Sequence, residues 1–218
     1  MAHGLKIIND AGTVQVDELY KNMALFAKEV STTNTVISAG LSKRTFTYSA
    51  SLLVNPIFAV RCADYAVARA TLSGGTWTVD VFVNDPSGTA FTLYVFGEPI
   101  ASADTMGFRV FNASGGLVFD SNLKYLRVID FWNKPFQSGG TPFETRTYAS
   151  GLTLAAAVVN LSLAQDASIK YHVGLKYSGN DMVVDKVGYG SACSTFGGPS
   201  CPIYRGSTDI MVIDCTNY

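Results

Sequence analysis

Two histidines, His3 and His172, and four cysteines, Cys62, Cys193, Cys201 and Cys215, are the chain's whole stock of common bases, thiol nucleophiles and soft metal ligands. A Ser-His-Asp or Cys-His relay would have to run through His172, because His3 stands at a terminus, where side chains are usually mobile. His172 lies in Lys170-Tyr171-His172-Val173-Gly174, an alternating stretch that reads as a strand, so a structural place is expected for it. Zinc needs four close N or S ligands, and the chain has no CxxC pair. Paired carboxylates could cleave a glycosidic bond, and Asp17 and Asp120 are one candidate pair. Both sit beside turns at matching places of a repeat, which assigns them to the fold, since a catalytic acid is needed only once. No phosphate loop, dinucleotide fingerprint or EF-hand loop occurs. The expectation is no catalytic residue, no metal and no cofactor.

The repeat itself is the dominant feature. Gly4-Leu5-Lys6-Ile7-Ile8-Asn9-Asp10-Ala11-Gly12-Thr13-Val14-Gln15-Val16-Asp17 aligns without a gap to Gly107-Phe108-Arg109-Val110-Phe111-Asn112-Ala113-Ser114-Gly115-Gly116-Leu117-Val118-Phe119-Asp120, an offset of 103 positions. Lys21 then matches Lys124, and Leu25 matches Val128. An offset near half of 218 residues points to two tandem copies of one small domain. The division expected is 1–99 for the first and 100–218 for the second, which adds Gly-rich loops.

Each copy reads as β structure. Short runs of Val, Ile, Thr, Phe and Tyr alternate with Gly, Asn, Asp, Ser and Pro. Asn9 to Gly12 and Asn112 to Gly115 predict tight hairpin turns, with Asn bonding the turn backbone and Gly accepting positive φ. Further strands are predicted at Thr35 to Ser38, Arg44 to Tyr48, Ile57 to Arg61, Ala66 to Leu72, Thr76 to Val83 and Ala90 to Phe96. In the second copy they fall at Tyr125 to Phe131, Phe143 to Tyr148, Ala155 to Leu163, Ile169 to Lys176, Met182 to Val187 and Asp209 to Ile213. The Ala155-Ala156-Ala157 run favours helix, but the alternation that follows it favours a strand. The fold class expected is all-β: two tandem antiparallel β-sandwich domains related by internal duplication, lying side by side about an approximate twofold or a translation.

Charged residues make up 15% of the chain, against about 25% in ordinary soluble proteins. Either part of the exterior is covered by neighbours or Thr, Ser and Asn carry the solvent face. The net charge of −1 and the scatter of Lys and Arg give nucleic acid nothing to bind. Leu152 to Val159 is too short to span a bilayer, and no signal segment is read at the N-terminus, so synthesis in a cytosol is expected. Cys193 and Cys201 flank a Gly-rich stretch and could staple it, although a reducing cytosol favours free thiols.

Aromatics near Gly-rich segments are the remaining candidates. Trp132 and Phe136 stand near Gly139-Gly140, and Tyr189, Phe196 and Tyr204 stand in the long stretch from Gly188 to Gly206. Exposed, they would suit protein docking or a host surface glycan or pilus; folded back, they would cap the sandwich.

The repeated opening, in its second copy above all, resembles small minor tail or baseplate proteins of siphophages. Copy one departs from that pattern at Asp10 and Thr13, where copy two has Ala113 and Gly116. The Trp77 strand and Tyr94-Val95-Phe96-Gly97 are similar as well. The resemblance covers about a quarter of the chain and carries no functional residue. It implies a virion component of the tail, synthesised in the host cytoplasm, assembling as a trimer or hexamer with other tail proteins around a symmetric hub. Receptor binding through the aromatic loops is the alternative.

Overall fold

The computed structural model describes residues 6–8, 14–17, 21–38, 40–135, 144–160, 164–165, 169–191 and 207–218, with side chains for 21–37, 40–133, 144–159, 174–184 and 208–218. All regular structure among them is β. The first half carries β1 (Lys6–Ile8), β2 (Val14–Asp17), β3 (Ala24–Thr32), β4 (Thr35–Ser38), β5 (Leu41–Ser49), β6 (Ile57–Cys62), β7 (Ala66–Ser73), β8 (Thr76–Val83) and β9 (Ala90–Gly97). The second carries β10 (Arg109–Phe111), β11 (Leu117–Asp120), β12 (Val128–Pro135), β13 (Glu144–Thr147), β14 (Leu154–Asn160), β15 (Ala164–Gln165), β16 (Ile169–Ser178), β17 (Asp181–Ser191) and β18 (Ser207–Asp214).

Two separate hairpins, β1-β2 and β10-β11, precede a six-stranded sheet of order β12-β18-β14-β6-β9-β3 and an eight-stranded path that includes β13-β17-β16-β7-β8-β5-β4. All the pairings are antiparallel. Both large sheets therefore run through both halves of the chain. The ordering β3-β9-β6 in the first half recurs as β12-β18-β14, and β5-β8-β7 recurs as β13-β17-β16.

The correspondence extends to single residues. Lys6 pairs with Asp17 and Ile8 with Val14, with a register shift between Ile7 and Ile8; Arg109 pairs with Asp120 and Phe111 with Leu117, with the shift between Val110 and Phe111. Every one of these positions is displaced by 103. The bulge between Leu25 and Ala27 on β3 recurs between Val128 and Asp130 on β12, at the same displacement. A β-bulge adds one unpaired residue and bends the strand.

Alternation along the six-stranded sheet buries both of its faces. Val60, Leu93 and Val95 enter one core with Ala66, Val79 and Val81 of the facing sheet. Leu154, Ala156, Ile210 and Val212 enter a second with Trp132, Leu175 and Met182. The opposite face turns Ala59, Tyr94, Phe96, Ala155, Ala157 and Ile213 into a third core that draws on both halves. The sheet curls around this third core until its edge strands meet at their starts, where Ala24 bridges Tyr125, Leu25 N donates to Lys124 O and Leu126 N to Met23 O. Gly97 closes the first lobe tightly: a Cβ there would lie 2.7 Å from Leu53 Cδ1.

Most predicted strands are present, and Leu154–Asn160 is a strand despite its three alanines. β3 was not anticipated. It is an edge strand bearing Lys28 and Glu29, and edges are commonly protected by charge. The turn reading holds in the second half: Gly115 has φ +80°, and Asn112 Oδ1 accepts from Gly116 N at 2.7 Å.

Candidate functional site

Trp132 is not a surface contact. Period two turns it inward when Phe131 points outward, and it is 1% exposed within the second core. Its indole Nε1 donates to Asp130 Oδ2 at 2.7 Å, which also accepts from Arg146 Nη1 and Tyr148 Oη, both at 2.8 Å. The Arg146 guanidinium lies 4.3 Å from the Trp132 ring centre and donates to Glu144 Oε1 at 2.9 Å. Burial alone would raise the Asp130 carboxyl, but donation from Arg146, Trp132 and Tyr148 outweighs it and brings the pKa to about 2. Burial and the facing carboxylate push the Tyr148 phenol up, so it remains a donor. Three donors converge on Asp130 Oδ2, the arrangement of a structural lock. Phe136, Phe196 and Tyr204 lie outside the described residues, as do Cys193 and Cys201; Tyr189 is placed only as a β17 residue opposite Lys170. His172 is likewise placed only in β16, opposite Val187.

Asp120 belongs to a second lock. Its side chain is fully buried; Oδ1 accepts from Asn122 N at 3.0 Å, and Oδ2 from Ser102 N at 3.0 Å, Ser102 Oγ at 2.9 Å and Arg109 Nε at 2.8 Å. These bonds, led by the Asn122 amide, hold its carboxyl far below the usual range. Tyr125 Oη accepts from Asp120 N and donates to Asp120 O, while its ring stacks on Phe119 at 4.9 Å. The β10-β11 hairpin is thus bolted at its base by a carboxylate that accepts four hydrogen bonds. Among the described residues no cluster of three or more His, Cys, Asp or Glu could hold a metal ion, and no helix is long and apolar enough to cross a membrane.

Exposed apolar residues are spread over the described surface, and Val30 on β3 is the most exposed of those on the six-stranded sheet. Val128, Ile129 and Phe131 line β12, which among the described residues has a hydrogen-bonded neighbour on one side only. Met106, Phe108 and Phe111 surround the β10-β11 hairpin.

A cleft of about 400 Å³ opens between β6 and β14, lined by Phe58, Ala68, Arg69, Ala70, Trp77 and Val158 among others. Phe58 and Trp77 are in edge contact at 6.2 Å, and Tyr48 stacks behind Phe58 at 6.3 Å. The Tyr48 hydroxyl is buried with no hydrogen-bond partner among the described residues, and burial raises its pKa, so it stays neutral. Trp77 Nε1 donates to Leu53 O at 3.1 Å, which fixes that wall. No local signal marks the cleft, because it forms between strands about 100 positions apart.

No family model matches the chain, and neither a curated protein nor a solved structure matches it.

Proposed function

We propose that the chain is a non-enzymatic structural component of a bacteriophage tail tip or baseplate, built by duplication of one β-sandwich unit and docked on a symmetric hub. The observation that carries this reading is the recurrence of strand order, hairpin register and bulge position between the halves. Duplicated domains in one chain let a ring of three subunits offer six similar surfaces, which suits a junction between threefold and sixfold symmetry. The exposed Val128, Ile129 and Phe131 on an open edge supply an apolar strip for a neighbouring subunit.

Native mass spectrometry of the purified chain, with sedimentation of tail particles, tests this reading. Trimers or hexamers that cosediment with tails are expected. A lone monomer absent from assembled particles overturns it. Receptor binding through the aromatic loops gains no support from Trp132, which is buried.

A further inference from the structure

We infer that β15 is an exchangeable strap, which holds the cleft open by occupying the edge of β16 on which β7 would otherwise close. The inference is independent of the tail reading, because it concerns strand pairing within one chain.

A strand has two edges. β17 pairs along the whole of β16, from Ile169 opposite Ser191 to Ser178 opposite Asp181, and takes one of them. β7, with Ala66 opposite Leu175, and β15, with Ala164 opposite Tyr171 and Gln165 opposite Lys170, must share the other. Continued in the same antiparallel register, β7 would set Ala68 opposite Val173, Ala70 opposite Tyr171 and Thr71 opposite Lys170. The last two places are the ones that β15 holds. One edge position takes one ladder partner at a time, so the two pairings exclude each other.

The duplication provides for the pairing that is missing. The β7-β8 hairpin closes at Ser73 opposite Thr76 and the β16-β17 hairpin at Ser178 opposite Asp181, with Gly74 and Gly179 in the turns at φ +55° and +60°. Aligning the turns makes Val173 the counterpart of Ala68. A ladder between these counterpart strands is symmetric about that pair, so the bridge from Ala66 to Leu175 calls for a mate from Ala70 to Tyr171. In the six-stranded sheet the seam is again one bridge, Val60 to Ala156, and matching registers against β9 and β18 makes its mate Phe58 to Val158, which is not formed. Phe58, Val158 and Ala70 all line the cleft. The missing mates therefore fall where the cleft opens. The other side of the seam is zipped: Arg61 Nη1 donates to Leu154 O at 3.1 Å, and its guanidinium clamps over the Tyr177 ring at 5.3 Å from the ring centre.

The strap belongs to an addition in the second half. β6 reaches β7 through Ala63, Asp64 and Tyr65 alone, whereas β14 reaches β16 through positions 161–168, and β15 lies within that longer connection. Its removal costs two residue pairs, and zipping of β7 returns a similar few. The net gain from a backbone hydrogen bond is modest, and Ala68 and Ala70 bring little apolar surface to decide the matter. Two pairings of comparable free energy that compete for one edge make a bistable element. With β15 seated the cleft is open. With β7 zipped onto β16, Ala68 and Ala70 are drawn to the β16 backbone and the cleft closes.

The test prevents β15 from pairing in the full chain. Proline lacks the N–H that a ladder uses, so Ala164→Pro with Gln165→Pro disables both positions. Hydrogen exchange across residues 66–73 is expected to slow several-fold as β7 gains a partner, with β9 unchanged. Acrylamide quenching of tryptophan fluorescence should fall as well. Of the two tryptophans, Trp132 is 1% exposed, so quenching reports Trp77 on the cleft wall. A second variant, Ala70→Cys with Tyr171→Cys, keeps β15 intact, and closure brings the introduced thiols within disulfide reach. Under mild oxidation their bond is expected to form, and to form faster when the β15 prolines are added; peptide mapping separates it from bonds to the native cysteines. Exchange across 66–73 that is unchanged or faster in the proline variant overturns the inference. So does failure of the introduced bond to form in both backgrounds, a result that does not depend on the proline variant folding.

Discussion

Val60 and Ala156 form the single bridge that joins β6 to β14, while Phe58 and Val158, which hold the mirrored positions, do not pair. Each large sheet crosses the middle of the chain on one bridge only. Cohesion between the halves also draws on the Ala24 to Tyr125 bridge with its flanking backbone bonds, on the third core and on the Arg61 clamp.

Arg61→Met should loosen the zipped side. It removes a bond to Leu154 O and a cation over Tyr177, for a loss of about 1–2 kcal/mol. In a protein of this size that lowers Tm by roughly 2–8 °C. Thermal unfolding followed by circular dichroism reads it, and an unchanged Tm rules out the clamp.

Asp130 sets an acid limit on stability. Its folded pKa is depressed to about 2, so its contribution is fully present above the unfolded value near 4 and is lost as pH falls toward about 2. Urea titrations at pH 6, 4 and 2.5 should show stability declining across the lower interval. In Asp130→Asn this decline should be smaller, and at pH 6 the variant should lose about 1–2 kcal/mol, because Trp132, Tyr148 and Arg146 lose their charged acceptor while Arg146 keeps Glu144.

Gly115→Val should damage the β10-β11 turn, since Gly115 sits at φ +80° and a β-branched residue resists that backbone by about 1–2 kcal/mol. Tyr125→Phe removes the hydroxyl that grips Asp120. In both variants hydrogen exchange should accelerate in residues 109–120 well before it does in β8 or β9. Uniform acceleration across all strands would show that the hairpin is no separate unit.

Phe131→Lys on the exposed β12 edge should change stability by less than about 0.5 kcal/mol. If β12 is a subunit contact, the same variant should shift the native mass toward monomer. An unchanged oligomer would move the contact elsewhere.

Cys215 is buried in the third core, and burial raises its thiol to about 12. Cys62 is buried and raised as well. Neither should react with a thiol reagent at pH 8 in the native protein, and both should react once guanidinium unfolds it.

The sequence made the β class and most strands legible through alternation. Thr76–Val83 shows it plainly: Val79, Val81 and Val83 face the core while Thr78 and Asp80 between them are only partly buried. It missed β3 because Lys28 and Glu29 interrupt the apolar signal, although the match of Leu25 to Val128 already pointed to a strand opposite β12. It also left Trp132 open between surface and core. Phe131 and Trp132 are adjacent in a strand, so one must face in, and composition does not say which. Asp130 decides it by accepting a hydrogen bond from the indole N–H, and that required the fold. The cleft depends on which strands abut at the seam, a long-range fact with no local signature.

The six-stranded sheet ends in two rims that correspond by register yet differ in character. Where β12 shows Phe131, β3 has Lys28, whose ammonium lies 5.7 Å from the Tyr94 ring centre and donates to Tyr218 O. Both lips expose an apolar side chain, Phe131 on β12 and Val30 on β3, and they differ in the tethered Lys28. A body of this kind has a front and a back despite its near symmetry, so a circle of copies joined through these rims has a sense of rotation built into each member.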